Sequence, residues 1–266
     1  MSSYHSRINN CSIKKKTPII LALDYDFDNY NNNYLYDKCK EIISIIESKI
    51  CAIKINFHLL LSLSHTQIVE LNIIAHKFDL QSIADIKLND IGNTNKVTIN
   101  KLQKLGFDAV IVNPFIGVTE MESIINYAHS IKFGVISLVY MSHPSSHEGY
   151  GLQISNSRNE DPNNEYPNKK LIPMYKLLYQ YSRMSDADGI VIGATKIDII
   201  KEISELNELK IYSPGFFTQN GSINDAVQAG TDYFIIGRHI LNSSSPLDNL
   251  NLILDQVRKG KKFSQE

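Results

Sequence analysis

Three charged side chains follow a short apolar run in "SIADIKLNDIGNT", residues 82–94. Asp85 and Lys87 are two positions apart, so on a β-strand their side chains point to the same side. Asp90 follows close behind. An ammonium group beside carboxylates stays charged, and it can stabilise negative charge on a reacting atom and deliver a proton to it. The pattern therefore predicts a site for electrostatic and acid–base chemistry.

Two more charged residues interrupt apolar runs that read as strands. Lys54 lies within "AIKINF", and Asp24 ends "ILALD". An unpaired charge in a packed core is costly, so these positions need a reason. A buried ion-pair network that only holds strand ends together is one alternative, but such networks are a weak source of stability. The four residues together favour a functional cluster.

The chain alternates short β-branched runs with longer segments of helical periodicity, which is typical of parallel β/α construction. Helices are predicted at 37–49 and 58–78, and a last one at 247–259 follows Pro246. The predicted strands are 18–24, 50–56, 81–87, 108–113, 133–139, 189–193, 209–213 and 232–237. This series predicts an α/β fold, a (β/α)₈ TIM barrel in a single domain. The first turn, "YDFDNYNNN", lacks the GxGxxG of a dinucleotide-binding fold.

The last two strands predict a phosphate site at the same end of the barrel. The stretch "YSPGFFTQNGS" (212–222) follows the seventh strand, and "IIGRHI" (235–240) follows the eighth. Barrels often hold phosphate there, through loop N–H groups and an arginine. Gly215, Gly237 and Arg238 fit that role. With the charged residues of the first three strands, they indicate a phosphorylated small molecule whose far end is transformed.

The composition excludes several classes of function. Charged residues make up 21% of the 266 residues and the net charge is −1, which gives no electrostatic basis for a nucleic-acid or membrane partner. No segment has the apolar character of a secretory signal or a membrane span, so a cytoplasmic location is expected. Cys11, Cys39 and Cys51 are odd in number and lack CxxC spacing, which argues for reduced, structural cysteines.

Two segments depart from the barrel pattern. Residues 1–16 are predicted to be a polar N-terminal tail in which a run of lysines is a solvated lead-in, so the barrel domain would span 17–266. The polar segment at about 145–172 is longer than an ordinary strand-to-helix connection. Because it leaves a strand at the functional end of the barrel, we interpret it as a lid or a loop that flanks the site.

The chain resembles orotidine 5′-monophosphate decarboxylases of the shorter, microbial type over residues 18–246. The resemblance rests on "ILALD", "AIKINF", "ADIKLNDIGNT", "MSHP", "SPG" with the following Gln, and "IIGR". The DxKxxDI element is the most specific of these when a lysine stands in the second strand. The resemblance implies a carboxy-lyase that converts orotidine 5′-monophosphate to UMP and CO₂ in pyrimidine biosynthesis, with no metal and no cofactor.

The resemblance also implies roles for single residues. Lys87 would donate the proton, and Asp85 would lie against the substrate carboxylate. In a homodimer, Asp90, Ile91 and Thr94 would reach the neighbouring subunit's site. The other substrate contacts implied are Asp24 and Lys54 with the ribose, Ser142 with the pyrimidine, Pro214 and Gln219 from a closing loop, and Gly237 and Arg238 with the phosphate. Orotate phosphoribosyltransferase, the expected metabolic neighbour, is a further partner that the resemblance raises.

Two features depart from the family pattern. The family commonly has a glycine-rich "GVGAQGG" where this chain reads "GFFTQNG", so Phe217 and Asn220 replace small residues in the closing loop. The segment at 145–172 is also longer than the family leads one to expect.

Two other functions compete with this interpretation. A sugar-phosphate decarboxylase or aldolase of the same suprafamily would stabilise an enediolate with Mg²⁺, but it needs an acidic ligand in the second strand, where this chain has Lys54. A non-catalytic nucleotide-binding barrel would keep the phosphate site, but it would be expected to lose its charged core residues first. Sensitivity of a decarboxylase activity to EDTA would favour the first alternative, and UMP binding without turnover would favour the second.

Overall fold

The computed structural model describes residues 3–25, 31–155 and 171–263. Its strands are β1 (Ile19–Leu23), β2 (Ala52–Asn56), β3 (Gln81–Leu88), β4 (Ala109–Val112), β5 (Gly134–Tyr140), β6 (Gln153–Ser155), β7 (Leu171–Pro173), β8 (Gly189–Ile192), β9 (Ile211–Pro214) and β10 (Tyr233–Ile236). Its helices are α1 (Tyr4–Lys15), α2 (Asn32–Ile46), α3 (Phe57–Ser62), α4 (His65–Lys77), α5 (Gly92–Lys104), α6 (Val118–Ser130), α7 (His147–Tyr150), α8 (Met174–Met184), α9 (Ile197–Ser204), α10 (Ile223–Ala229), α11 (Arg238–Leu241) and α12 (Pro246–Phe263).

Eight of these strands close into a parallel barrel in the order β1, β10, β9, β8, β5, β4, β3, β2. The predicted TIM barrel is therefore confirmed, and every predicted strand overlaps an observed barrel strand. Strands β1, β4, β5, β8 and β10 are buried at every position. A parallel sheet is covered on one face by helices and on the other by the barrel interior, so its strands are continuous apolar runs.

The helical segment predicted at 58–78 is two helices rather than one. Helix α3 ends at Ser62, and α4 starts anew after Ser64. The Ser64 hydroxyl accepts a hydrogen bond from the Gln67 N–H, and the Gln67 side chain accepts one from the Ser64 N–H. This capping box satisfies two N–H groups at a helix start. The S-x-x-Q pattern is the signal in the sequence that marks this break.

The N-terminal segment is an ordered helix rather than a polar tail, although Lys14 and Lys16 of its lysine run are exposed. Residues Tyr4–Lys15 form α1, which buries Tyr4, Ile8 and Cys11 along one face. The Tyr4 ring occupies the space beside Gly134, where a Cβ would come within 2.4 Å of it. Arg7 forms an ion pair with Asp108 at 3.3 Å. The apolar residues are spaced four and three apart, so a sparse stripe suffices to pack α1 against the amino-terminal end of the barrel.

Three aspartates join neighbouring strands at that same amino-terminal end. Asp108, Asp188 and Asp232 each precede a strand, and each accepts a hydrogen bond from a backbone N–H of the adjacent strand at 2.8 or 2.9 Å. Arg7 and Lys210 form ion pairs with Asp108 and Asp232, and His129 Nε2 lies 3.0 Å from Asp188. These contacts fix strand register at the end of the barrel opposite the predicted site.

The long segment at 145–172 is described only in part. After a 3₁₀ turn at Pro144–Ser146 and helix α7, β6 pairs with β7 in an antiparallel two-stranded sheet. Residues 156–170 lie outside the described residues, so the lid interpretation of this segment stays a prediction. None of the helices in the described ranges is long and apolar enough to cross a membrane.

Candidate active site

A cavity of about 270 Å³ opens at the carboxyl ends of the barrel strands. Its floor is apolar and is formed by inward-facing side chains of the strands, among them Ile111, Leu138, Val191 and Ile235. Its walls are polar. The residues predicted for the site that line this cavity are Asp24, Lys54, Asp85, Lys87, Ser142, Pro214, Gly215, Gln219, Gly237 and Arg238.

A single carboxylate on β3 joins the two lysines of the cavity. Asp85 Oδ2 lies 2.5 Å from Lys54 Nζ, and Asp85 Oδ1 lies 2.8 Å from Lys87 Nζ. Lys54 is only 4% exposed and Asp85 only 8%. The Lys87 side chain is 42% exposed, so its ammonium faces the open cavity. The arrangement places one free face of a clamped ammonium where a ligand can reach it.

The backbone of β3 is irregular where it carries these groups. Ala84 pairs with Val110 and Leu88 with Val112, so residues 85–87 lie opposite a single residue of β4. Lys87 has a φ of 47°, in the left-handed region. That conformation costs about 1–2 kcal/mol for a residue with a side chain. Bulges and such strained residues often occur at functional sites, where they aim a side chain; here the bulge directs Lys87 towards Asp85.

The hydrogen bonds and ion pairs between polar side chains continue from β2 to β1 and β10. Lys54 Nζ also donates to Asn56 Oδ1, and Asn56 Nδ2 donates to Asp24 Oδ1 at 2.8 Å. Arg238 Nε lies 3.4 Å from Asp24 Oδ2. An unbroken series of contacts therefore runs across four adjacent strands, from Arg238 to Lys87. Its three cations and two carboxylates leave one net positive charge, which suits an anionic ligand.

The pKa of Asp85 follows from this setting. Burial by itself raises the pKa of a carboxyl group, but the ammonium groups of Lys54 and Lys87 outweigh burial and lower the pKa of Asp85 to about 2. Asp85 is therefore an anion at any pH at which the protein would work. Near Asp24, burial lowers the pKa of His58, although the Asp24 carboxylate opposes this shift. His58 Nε2 lies 3.4 Å from Asp24 Oδ1.

The opposite wall of the cavity comes from the turns after β5 and β9. Gly215 has a φ of 100°, and a Cβ at this position would come within 2.7 Å of Ser142 Cβ and 2.8 Å of Gln219 Oε1. Glycine is therefore required both by the backbone and by the close approach. Gln219 Oε1 is buried and accepts no hydrogen bond from the described residues. Such a group is expected to bond to a ligand or to water.

Three residues predicted for the site lie outside this cavity. Asp90, Ile91 and Thr94 stand at the start of α5 and are exposed, Ile91 to 72%. Asp90 Oδ1 accepts the N–H of Ile91 at 2.7 Å, and Asp90 is not among the residues that line the cavity. Within one chain, Asp85 alone supplies the carboxylate contacts that the structure describes for Lys87.

Asn56 and His58 are polar residues near the cavity that the sequence interpretation did not single out, and His143 and Thr218 of the cavity lining are two more. Asn56 connects Lys54 to Asp24, and His58 approaches Asp24 from the start of α3. Asn56 could have been found, because it is two positions beyond Lys54 on the same strand and so shares its face. His58 lies beyond the strand end, and no periodicity marks it.

The chain is similar to known proteins over most of its length. A model of the orotidine 5′-phosphate decarboxylase / HUMPS family matches residues 17–253. The chain belongs to this family. It is 29% identical to the orotidine 5′-phosphate decarboxylase of Pyrococcus abyssi over 90% of this chain and 99% of that protein. The crystal structure of orotidine 5′-monophosphate decarboxylase from Sulfolobus solfataricus is 27% identical, with a TM-score of 0.69, over 92% of this chain and 99% of that one.

A solved structure of much lower sequence identity shares the fold. The structure of Leishmania donovani OMP decarboxylase superimposes with a TM-score of 0.81 at 14% identity, over 98% of this chain and 100% of that one. The family match at residues 17–253 covers all eight strands of the barrel. Phe217 and Asn220, which stand where the family commonly has small residues, have φ values of 61° and 66°. The loop thus keeps a conformation that glycine would adopt more easily.

Proposed function

We propose that the chain is an orotidine 5′-phosphate decarboxylase, which converts orotidine 5′-monophosphate to UMP and CO₂ in de novo pyrimidine biosynthesis. The observation that carries the proposal is the buried Asp85 carboxylate shared by Lys54 and Lys87 at the mouth of the barrel. The residues that would carry out this reaction belong to the barrel domain that is predicted to span residues 17–266. Family membership over residues 17–253 supports the same activity.

The reaction makes an unusual demand on a protein. Loss of CO₂ from C6 of the pyrimidine leaves an electron pair in the ring plane, where the π-system cannot delocalise it. Stabilisation must then be electrostatic, by a charged group fixed in advance where the negative charge develops. Lys87 suits this demand because Asp85 holds its ammonium in place and its side chain faces the cavity.

Lys87 then completes the reaction as the proton donor. The C6–carboxylate bond breaks and its electron pair stays on C6. That pair takes a proton from the Lys87 ammonium, which becomes a neutral amine and regains a proton from water after UMP leaves. Asp85 keeps Lys87 charged before the reaction, since a neighbouring opposite charge favours ionisation. Asp85 also lies against the substrate carboxylate, and the repulsion between them disfavours the bound substrate more than the product.

The remaining wall residues bind the nucleotide away from C6. Arg238 and the backbone at Gly237 hold the phosphate, while Asp24 and Lys54 hold the ribose hydroxyls. Ser142 reads the pyrimidine edge, and Gln219 bridges base and phosphate from the loop that follows Pro214. Gln219 Oε1 is buried and accepts no hydrogen bond from the part of the chain that the structure describes, which supports this assignment. Binding energy gained at the phosphate can be used to order the charges at C6.

The active unit is proposed to be a homodimer. Asp90, Ile91 and Thr94 are exposed beside the cavity rather than inside it, which fits a role in the site of a neighbouring subunit. Mixing inactive Lys87→Ala and Asp90→Ala subunits tests this role, because a mixed dimer would contain one intact site. Activity restored by mixing is expected. A mixture as inactive as its components would contradict the shared site.

A cytoplasmic location and association with orotate phosphoribosyltransferase belong to the same proposal.

The decisive experiment follows the absorbance of orotidine 5′-monophosphate on addition of the purified protein, with and without EDTA. Turnover that EDTA leaves unchanged is expected. Loss of this decarboxylase activity with EDTA would favour the Mg²⁺-dependent sugar-phosphate decarboxylase or aldolase. That alternative would also require the protein to turn over a sugar phosphate. UMP binding without turnover would favour a non-catalytic nucleotide-binding barrel.

A further inference from the structure

The loop between β9 and α10 is closed by its own backbone. Gly221 donates its N–H to the carbonyl of Gly215 at 3.1 Å, and Phe217 donates to the carbonyl of Gly221 at 3.2 Å. Asn220 donates to the carbonyl of Phe217 at 3.1 Å. These hydrogen bonds define the shape of the loop, and that shape needs an explanation from its own residues.

The tightest point of this loop is strained. The N–H of Thr218 donates to the carbonyl of Phe216 at 2.8 Å, which closes a three-residue γ-turn centred on Phe217 with a φ of 61°. Such a turn with positive φ is rare, because it brings Cβ against the backbone. Asn220 also has positive φ, but asparagine tolerates that region better than an aromatic residue. Something outside the turn must stabilise Phe217 in this conformation.

The stabilising contact is the ring of His239. The rings of Phe217 and His239 lie parallel, with centroids 3.7 Å apart and an interplanar angle of 10°. Phe217 packs in addition against the hydrophobic core. His239 is the second residue of α11, directly after Arg238. The stack therefore joins the loop that carries Gln219 to the short helix that begins with Arg238.

We infer that the Phe217–His239 stack is a clasp that holds the loop bearing Gln219 against α11 and so sets the position of Gln219 relative to Arg238. The inference rests on the proposed function and adds two positioning residues to it. Gln219 and Arg238 both line the cavity. With the clasp closed, a phosphorylated nucleotide meets both groups already in place, so less of its binding energy is used to order the loop. The clasp acts on the phosphorylated end and leaves C6 chemistry untouched.

The test compares single, double and conservative variants. Phe217→Ala and His239→Ala should each raise KM for orotidine 5′-monophosphate about three- to tenfold, as expected for loss of one aromatic contact, with kcat nearly unchanged. The double variant should be no worse than either single one, because both remove the same contact. His239→Phe keeps a flat ring and should retain the parent KM. The exposed His65 at the start of α4 provides the control variant His65→Ala.

Hydrogen exchange of the ligand-free protein gives a readout that does not depend on activity. The amides of Asn220 and Gly221 should exchange faster in Phe217→Ala and His239→Ala, and at the parent rate in His239→Phe and His65→Ala. If the parent does not decarboxylate the substrate, the proposed function fails while exchange still tests the clasp. Parent-like exchange and KM in both alanine variants, or a His239→Phe variant that behaves like His239→Ala, would overturn the clasp.

Discussion

Asp85→Asn is the substitution that most directly tests how the charged centre is held. The variant keeps the shape of the side chain and removes the charge that pairs with Lys54 at 2.5 Å and Lys87 at 2.8 Å. Lys87 can turn into solvent, since its side chain is 42% exposed. Lys54 cannot, since only 4% of it is exposed. The variant therefore leaves one buried ammonium without its carboxylate.

The expected cost follows from that burial. Removing one partner of a buried ion pair typically costs about 3–5 kcal/mol. Asn56 still accepts a hydrogen bond from Lys54, so we expect the lower end, about 3 kcal/mol. At about 2–4 °C per kcal/mol for a domain of this size, the Tm should fall by roughly 6–12 °C. Replacing Lys54 by Met in the same chain should recover much of the loss, because the uncompensated charge is then gone.

The pH dependence of the effect has a defined sign. Because the pKa of Asp85 is lowered to about 2 in the folded protein, its contribution to stability is present above the unfolded value of 3.8 and is lost as pH falls towards 2. The Tm difference between the parent and Asp85→Asn should therefore be constant between about pH 5 and 8 and should narrow below about pH 4.

Thermal unfolding followed by circular dichroism measures these differences, and Asp79→Asn is the matched control. Asp79 pairs with Lys14 at 2.6 Å, but both side chains are more than 60% exposed. Its φ of 59° is one that asparagine tolerates. The control should melt within about 2 °C of the parent. If Asp85→Asn melts as close to the parent as this control does, burial does not govern the strength of the Lys54 contact and the reasoning fails.

Three further predictions concern catalysis, binding and pH. Lys87→Ala should lower turnover of orotidine 5′-monophosphate more than about 100-fold with an unchanged circular dichroism spectrum; a variant that keeps more than a hundredth of the activity would show that Lys87 is not the proton donor. Arg238→Ala should weaken UMP binding about 10- to 100-fold in calorimetry through the lost phosphate contact, and unchanged affinity would contradict that assignment. The hydrogen bond to Asp188 raises the pKa of His129, although burial opposes this shift. The stability that this hydrogen bond adds is therefore present below about pH 6.5 and is lost as pH rises through the folded pKa. His129→Gln should lower the Tm more at pH 5.5 than at pH 8.5, and an equal loss at both pH values would show that the His129–Asp188 contact does not depend on the charge of the histidine.

The barrel and its charged centre could be predicted from local patterns because parallel barrel strands are read from continuous apolar runs. A charged side chain within such a run is conspicuous, because burying an unpaired charge in the barrel costs free energy. Lys54, Asp85, Lys87 and Asp24 are identified in this way, whereas Arg238 is identified by its place directly after the eighth strand, where barrels often bind phosphate. Strand period also reaches Asn56, two positions past Lys54. These inferences need only neighbours in sequence and the rule that barrel sites lie at the carboxyl ends of strands.

Other features depend on contacts between residues that are distant in sequence, and no local pattern carries them. Helix α1 is ordered by packing against the start of β5 and by the Arg7–Asp108 pair, so its polar composition was misleading. The bulge that aims Lys87 arises from register against β4. Phe217 has a positive φ, and its ring stacks on His239, which is 22 positions further along the chain. Each case sets a local conformational cost against a long-range contact, and only the folded chain brings the two together.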